Sequence, residues 1–295
     1  MRTAALVSTA AVAGVKAASE PPVAHGPIVL FSKPFETLGP EDTAALVAEV
    51  GCEGIECPVR AKPSGQVAPT HVEEVLPRYV EAFRRRGLDI PLITTDITAL
   101  GQPNAERVLR AAARLGIKRA RLGFIRYAAD RPILAQVDEI GRRLKDIGDF
   151  CGELGLQAGV ENHSGSDIFG APIWDFYTAL QQHQVKNVGI CFDIGHATVE
   201  GGLSWPIQAR LVESNLTAVY FKDFNWRKGP KGWQPEWCPL GQGMIDPGFA
   251  RRLGRSGFTG PISLESEYPL GDRAQMVAAL RHDLLVLKRW LGDIA

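Results

Sequence analysis

Four stretches of the chain end apolar runs in ionisable groups. G-V-E-N-H-S-G (159–165) carries Glu161, Asn162 and His163, and C-F-D-I-G-H (191–196) carries Asp193 and His196. Y-F-K-D (220–223) carries Tyr220, Lys222 and Asp223, and S-L-E-S-E (263–267) carries Glu265 and Glu267. Brought together, Glu161, Asp193 and Glu265 would repel one another unless a cation or raised pKa values relieved them. A divalent ion is the economical solution. Oxygen donors with one or two imidazoles suit Mn²⁺ or Mg²⁺, with Zn²⁺ or Co²⁺ as alternatives. By residue type His163 is a candidate ligand. Two glutamates on one cavity can also remove and return a proton.

Such chemistry needs an architecture that sets the four stretches side by side. Apolar runs rich in Ile, Val and Leu predict strands at 28–33, 54–59, 90–97, 119–124, 157–162, 188–194, 216–224 and 261–266. Between and after them, helical patterns run over 41–50, 71–86, 104–115, 133–154, 172–184, 204–214, 247–255 and 273–290, several of them stopped by glycine. Eight strand–helix units over about 270 residues predict the α/β class, a (β/α)₈ TIM barrel forming one domain over 26–295. A doubly wound open sheet is the alternative, but F-S-K-P-F after the first strand lacks its glycine-rich turn.

A barrel of this kind places its site at the C-terminal ends of its strands. The four stretches end strands five to eight, which are neighbours. Alternation along a strand puts Glu161 with His163, Tyr220 with Lys222, and Glu265 with Glu267. It turns Asn162 away, to brace a loop or the next strand. Lys222 and Asp223 also read as a simple structural pair. Glu56, ending strand two, and Arg121, in strand four, are placed to line the pocket or to serve structure alone. The long loop 225–247 carries Trp226, Trp233 and Trp237, which either stack on a sugar ring or pack the loop on the barrel. Trp226, Arg121, Glu267 and Tyr220 are the substrate-binding candidates.

The chain has 33 Lys plus Arg and 33 Asp plus Glu, so it lacks the excess positive charge that nucleic acid or a polybasic membrane contact requires. Cys52, Cys57, Cys151, Cys191 and Cys238 form no C-x-x-C pair and read as buried free thiols. His71, His183 and His282 fall on helical patterns and read as surface groups. Residues 1–25 combine one Arg, an Ala/Val stretch and small residues, the pattern of an export leader too short to span a membrane. That reading predicts a periplasmic or secreted protein. If the segment is only a disordered arm, the protein is cytoplasmic. A homo-oligomer is compatible with the composition.

Across residues 28–290, the motifs E-N-H-S-G, C-F-D-I-G-H-A, Y-F-K-D-F, P-L-G-Q-G-M-I-D and P-I-S-L-E-S-E-Y together resemble the xylose-isomerase-like TIM-barrel superfamily, with its sugar isomerases, epimerases and endonuclease IV. The likeness is strongest to leader-bearing members described as sugar phosphate isomerase/epimerase. It implies that Glu161, Asp193 and Glu265 bind one divalent metal and that the two glutamates form the acid/base pair. It also implies that His196 stands behind the metal ligands. The family pattern H-x-K-D becomes Y-F-K-D here, with Tyr220 at the histidine position. A neutral phenol is a poor ligand, so the fourth position is left open. It is vacant, or taken by His163 or Glu267, or metal binding is weak or absent.

These residues predict an isomerase or epimerase acting beside the carbonyl of a ketose or keto-sugar through an enediolate. Lys222 or His196 is the expected oxyanion partner. Phosphorylated substrates are disfavoured because the loops after strands seven and eight lack a glycine-rich cradle. One alternative is a lyase eliminating from 3-keto-glycosides after the same first step. Another is a catalytically inactive sugar-binding barrel, suggested by Tyr220 and the tryptophan-rich loop. A multi-zinc endonuclease would want more histidines than His163 and His196 at this face.

Overall fold

Short runs of buried, mostly β-branched and aliphatic residues form the inner wall of the protein, described here by a computed structural model over residues 25–61, 66–230 and 232–294. The barrel strands are β1 (Ile28–Phe31), β2 (Gly54–Val59), β3 (Asp89–Thr95), β4 (Arg119–Arg121), β5 (Gln157–Glu161), β6 (Val188–Asp193) and β7 (Leu216–Phe221). After the hairpin strands β8 (Asp223–Gly229) and β9 (Gly232–Cys238), β10 (Ile262–Leu264) is the eighth barrel strand. The ring closes in the order β1-β10-β7-β6-β5-β4-β3-β2, with every pairing parallel. This is the predicted (β/α)₈ barrel.

The outer layer consists of α1 (Pro40–Val50), α2 (Val72–Arg84), α3 (Ala105–Arg114), α4 (Ile133–Glu153), α5 (Trp174–His183), α6 (Ile194–Gly201), α7 (Trp205–Leu211), α8 (Gly248–Ser256) and α9 (Arg273–Leu291). Local chemistry fixes their ends. Pro40 starts α1 at a position that needs no N–H donor, and Gly51 ends it in the left-handed region at φ 95°. Asp272 and Gln275 form a reciprocal capping box on α9. The main core lies between the sheet and this layer, while Leu92, Cys191, Ala218 and Tyr220 form a second cluster inside the barrel. Gly159 faces that cluster, where a Cβ would collide with the Cys191 sulfur.

Two expected segments differ. A single helix over 204–214 was predicted after strand six. Instead α6 begins at Ile194, directly after Asp193, and α7 follows a short 3₁₀ turn. Asp193 is both the strand end and the helix cap, so no turn residues announce the boundary. The stretch 225–247, expected as loop, opens with the β8–β9 hairpin, and strand seven stops at Phe221. All five cysteines are free, with Cys238 only partly buried. No helix among the described residues is long and apolar enough to cross a membrane. The expected leader lies outside the described residues apart from His25, whose Nε2 contacts Asp293 at 2.9 Å.

Candidate active site

The barrel mouth gathers the expected strand ends. Asn162 clamps two of them. Its amide donates to the Asp193 carbonyl at 3.0 Å and its Oδ1 accepts from the Asp193 N–H at 2.7 Å. With β5 and β6 fixed this way, Glu161 and Asp193 point inward and are buried. Asp193 Oδ1 accepts the His196 N–H at 2.9 Å, which caps α6 and leaves Oδ2 facing the mouth. The Ser164 hydroxyl meets His196 Nδ1 at 2.8 Å, and the opposite ring nitrogen lies 3.7 Å from Glu161 Oε1.

Glu161, Asp193 and His196 thus present ligand atoms within 4.8 Å of one another. Glu161 Oε1, Asp193 Oδ2 and His196 Nε2 are all buried without a hydrogen-bond partner among the described residues. Two carboxylate oxygens and a neutral imidazole gathered this closely, with only the Lys222 ammonium of the described residues against the oxygens, fit a divalent ion. Burial holds the His196 pKa well below its usual value, assisted by Lys222 and His163. The ring is therefore neutral and able to ligate.

The sequence called for a cation among the carboxylates, and the chain supplies one. Lys222 Nζ lies 3.0 Å from Asp193 Oδ2, 3.3 Å from Glu267 Oε2, 3.5 Å from Glu265 Oε2 and 3.9 Å from Glu161 Oε1. Its shortest contact is the ion pair with Asp193, and hydrogen bonds run to Glu265 and Glu267. Burial opposes the ammonium, but Asp193, Glu265 and Glu267 outweigh it and raise the Lys222 pKa. Lys222 and Asp223 are not a pair. Asp223 instead accepts the backbone N–H groups of Phe224, Gly241, Gly243 and Ile245 at 2.9–3.1 Å, and so shapes P-L-G-Q-G-M-I-D.

Glu265 meets Lys222 as well but is not part of the Glu161–Asp193–His196 group. Burial raises its carboxyl to about 8, against the pull of Lys222. Glu267 goes the other way. Despite burial, Lys222 and Lys33 hold it down to about 2, with Lys33 Nζ 2.6 Å away. His163 also stays outside the group. Its ring packs between Phe124 and His196, at 4.5 and 4.0 Å between centroids, and Nδ1 meets the Ser164 carbonyl at 2.8 Å. Burial lowers its pKa to about 4.

Tyr220 does not reach the mouth. It points into the barrel interior, where its hydroxyl donates to Glu56 Oε1 at 3.1 Å. Glu56 also accepts from Thr94 and lies 3.9 Å from Arg121, whose other side is ion-paired with Glu161 Oε2. A buried chain of contacts, Tyr220–Glu56–Arg121–Glu161, therefore orients the glutamate from below. Trp226 packs edge-on against Phe224 and is 39% exposed on the hairpin, outside the mouth lining. Trp237 of the same hairpin lies nearer the carboxylate cluster. Its ring sits 4.9 Å from Lys222 Nζ and edge-on to His196 at 5.2 Å.

The mouth cavity is about 60 Å³, lined by Phe31, Lys33, Arg60, Arg121, Phe124, Glu161, His163, Lys222, Glu265 and Glu267. It shares Glu267 with a groove of about 590 Å³ that runs between the hairpin and the segment after β10. A separate cleft of about 380 Å³ lies between the loops after β2 and β3, away from the carboxylate cluster. Phe31, Lys33, Arg60 and Phe124 were not singled out from sequence, although Lys33 and Phe124 end predicted barrel strands, Arg60 directly follows one and Phe31 lies within one.

The chain matches the family model for the xylose isomerase-like TIM barrel over residues 44–290. Comparison with curated protein sequences finds no significant match. Among solved structures it is similar to the probable 3-DHS dehydratase of petrobactin synthesis from Bacillus anthracis, with TM-score 0.68 and 17% identity over 89% of this chain and 98% of that one. It is also similar to a 3-keto-D-glucoside 4-epimerase from E. coli, with TM-score 0.68 and 16% identity over 90% and 99%. A xylose isomerase-like protein from Mycobacterium smegmatis, in complex with magnesium, gives TM-score 0.62 and 18% identity over 90% and 98%.

Proposed function

The chain belongs to the xylose isomerase-like TIM barrel family, and from that premise we propose that it is a carbohydrate isomerase or epimerase moving a proton beside a sugar carbonyl. The observation that carries this reading is the pair Glu161 and Glu265. One ends β5 and the other directly follows β10, and they line one cavity with Lys222 in contact with both. Glu161, held against Arg121, takes the base role. Glu265, in the environment that favours its protonated form, returns the proton from the other wall.

Glu161, Asp193 and His196 would hold a divalent ion, which polarises adjacent sugar oxygens when bound. Mn²⁺ or Mg²⁺ suits this mixed donor set. Lys222 donates toward the oxyanion that develops beside the abstracted proton. Trp237 packs against Lys222 and His196 and helps fix their positions. Ser164 holds the His196 ring in place.

Elimination from a keto-sugar is the second reading, because Glu265 could protonate a leaving group as readily as a carbon. The B. anthracis dehydratase is consistent with it. Incubating ketoses and 3-keto-glycosides in D₂O separates the two readings. Deuterium in an unbroken sugar supports isomerase or epimerase chemistry, and cleavage products support the lyase.

A further inference from the structure

Arg60 follows β2 at the mouth and is 8% exposed. Its guanidinium lies 5.6 Å from the centre of the Phe31 ring. Its Nε and Nη2 are buried with no hydrogen-bond partner among the described residues. The other mouth cations are engaged: Arg121 with Glu161, Lys222 with Glu265 and Glu267, and Lys33 with Glu267. Burial and the nearby charge of Arg121 work against the Arg60 cation and outweigh the support of Asp96, Glu56 and Glu265. A buried guanidinium with idle donors is costly unless something arrives to use them.

Arg60 also stands in a telling place. β2 and β6 are four strands apart in either direction around the ring, so they face each other across the mouth. The Glu161–Asp193–His196 group lies on the β5–β6 side. Arg60 and Glu161 line the same cavity, so Arg60 is within reach of a molecule engaged by that group.

Resting on the reading of the site as one for sugars, we propose that the substrate is a sugar acid whose carboxylate is bound by Arg60. The fork of the guanidinium matches a planar carboxylate. A single cation with no ion-pair partner among the described residues, near the charges of Asp96, Glu56 and Glu265, suits one negative charge better than the two of a phosphate.

The test is calorimetric titration with three matched probes: D-fructuronate, D-fructose and D-fructose 6-phosphate. Wild type should bind fructuronate at least about tenfold more tightly than fructose, the gain expected of a charged hydrogen-bonded contact. Arg60→Met should abolish that preference and Arg60→Lys should retain part of it, with both variants melting as wild type does. Equal affinity for the acid and the neutral sugar overturns the proposal, as does a preference that survives Arg60→Met. Tightest binding of the phosphate overturns the carboxylate assignment. If wild type binds no probe, yet exchanges deuterium into neutral ketoses, the acid proposal alone falls. If it neither binds nor exchanges any sugar, the functional reading falls with it.

Discussion

At the scale of residues, the site is governed by where each charge finds its opposite. Glu161→Gln and Glu265→Gln should each lower proton exchange by about 10²–10⁴-fold, the range for loss of a positioned acid or base, as measured by deuterium incorporation. The two should differ in pH behaviour. Because burial raises Glu265 to about 8, kcat/KM should fall as pH rises through that value and the returning proton is lost. The same group makes stability pH-dependent. The folded protein keeps this proton after the unfolded chain has lost it near the ordinary value of 4.5, so its contribution is complete below that pH and gone above about 8. Thermal melts from pH 5 to 9 should show this decline in wild type and less of it in Glu265→Gln. Lys222 yields a further expectation. Its ammonium is 3.0 Å from an oxygen of the metal-fitting group, so it competes with a divalent ion for Asp193. Replacing it by Met should tighten Mn²⁺ binding, read by calorimetry, by at least about tenfold. Unchanged or weaker binding would argue against that competition.

At the scale of elements, the site depends on how strand ends are tied. Asn162 holds both backbone groups of Asp193, so Asn162→Ala leaves a buried donor and a buried acceptor unpaired. A loss of about 1–3 kcal/mol is expected in denaturant melts. Much of this level was legible in the sequence. Glycine stops and apolar runs gave eight units, and alternation correctly turned Asn162 away from the mouth. Alternation gives a side but not a depth. Tyr220 in β7 and Lys222 just past its end do share the inner side, yet two residues span about 6.5 Å along a strand. That step puts one in the barrel interior against Glu56 and the other among the carboxylates. The hairpin was missed because its tryptophans read equally well as loop residues. Its register pairs Phe224 with Trp237, and their rings lie 6.0 Å apart. The alternative reading of Lys222 and Asp223 as a structural pair fails because the Asp223 carboxylate is spent on backbone amides.

At the scale of the whole molecule, closure of the barrel brings residues more than a hundred positions apart into one charge network. Tyr220, Glu56, Arg121 and Glu161 come from β7, β2, β4 and β5, and only a closed ring connects them. A metal bound by the folded site alone would stabilise the molecule as a whole. Dialysis against a chelator should lower the melting temperature and Mn²⁺ should restore it, with a smaller effect in Glu161→Gln. The central claim is that Glu161 and Glu265 together move a proton beside a sugar carbonyl. It is tested most directly by solvent-deuterium exchange into a panel of ketoses, keto-sugars and keto-sugar acids, comparing wild type with Glu265→Gln. The account predicts incorporation at the carbon beside the carbonyl by wild type and its near-loss in the variant. Absence of exchange into any sugar, or equal exchange by both proteins, would contradict it.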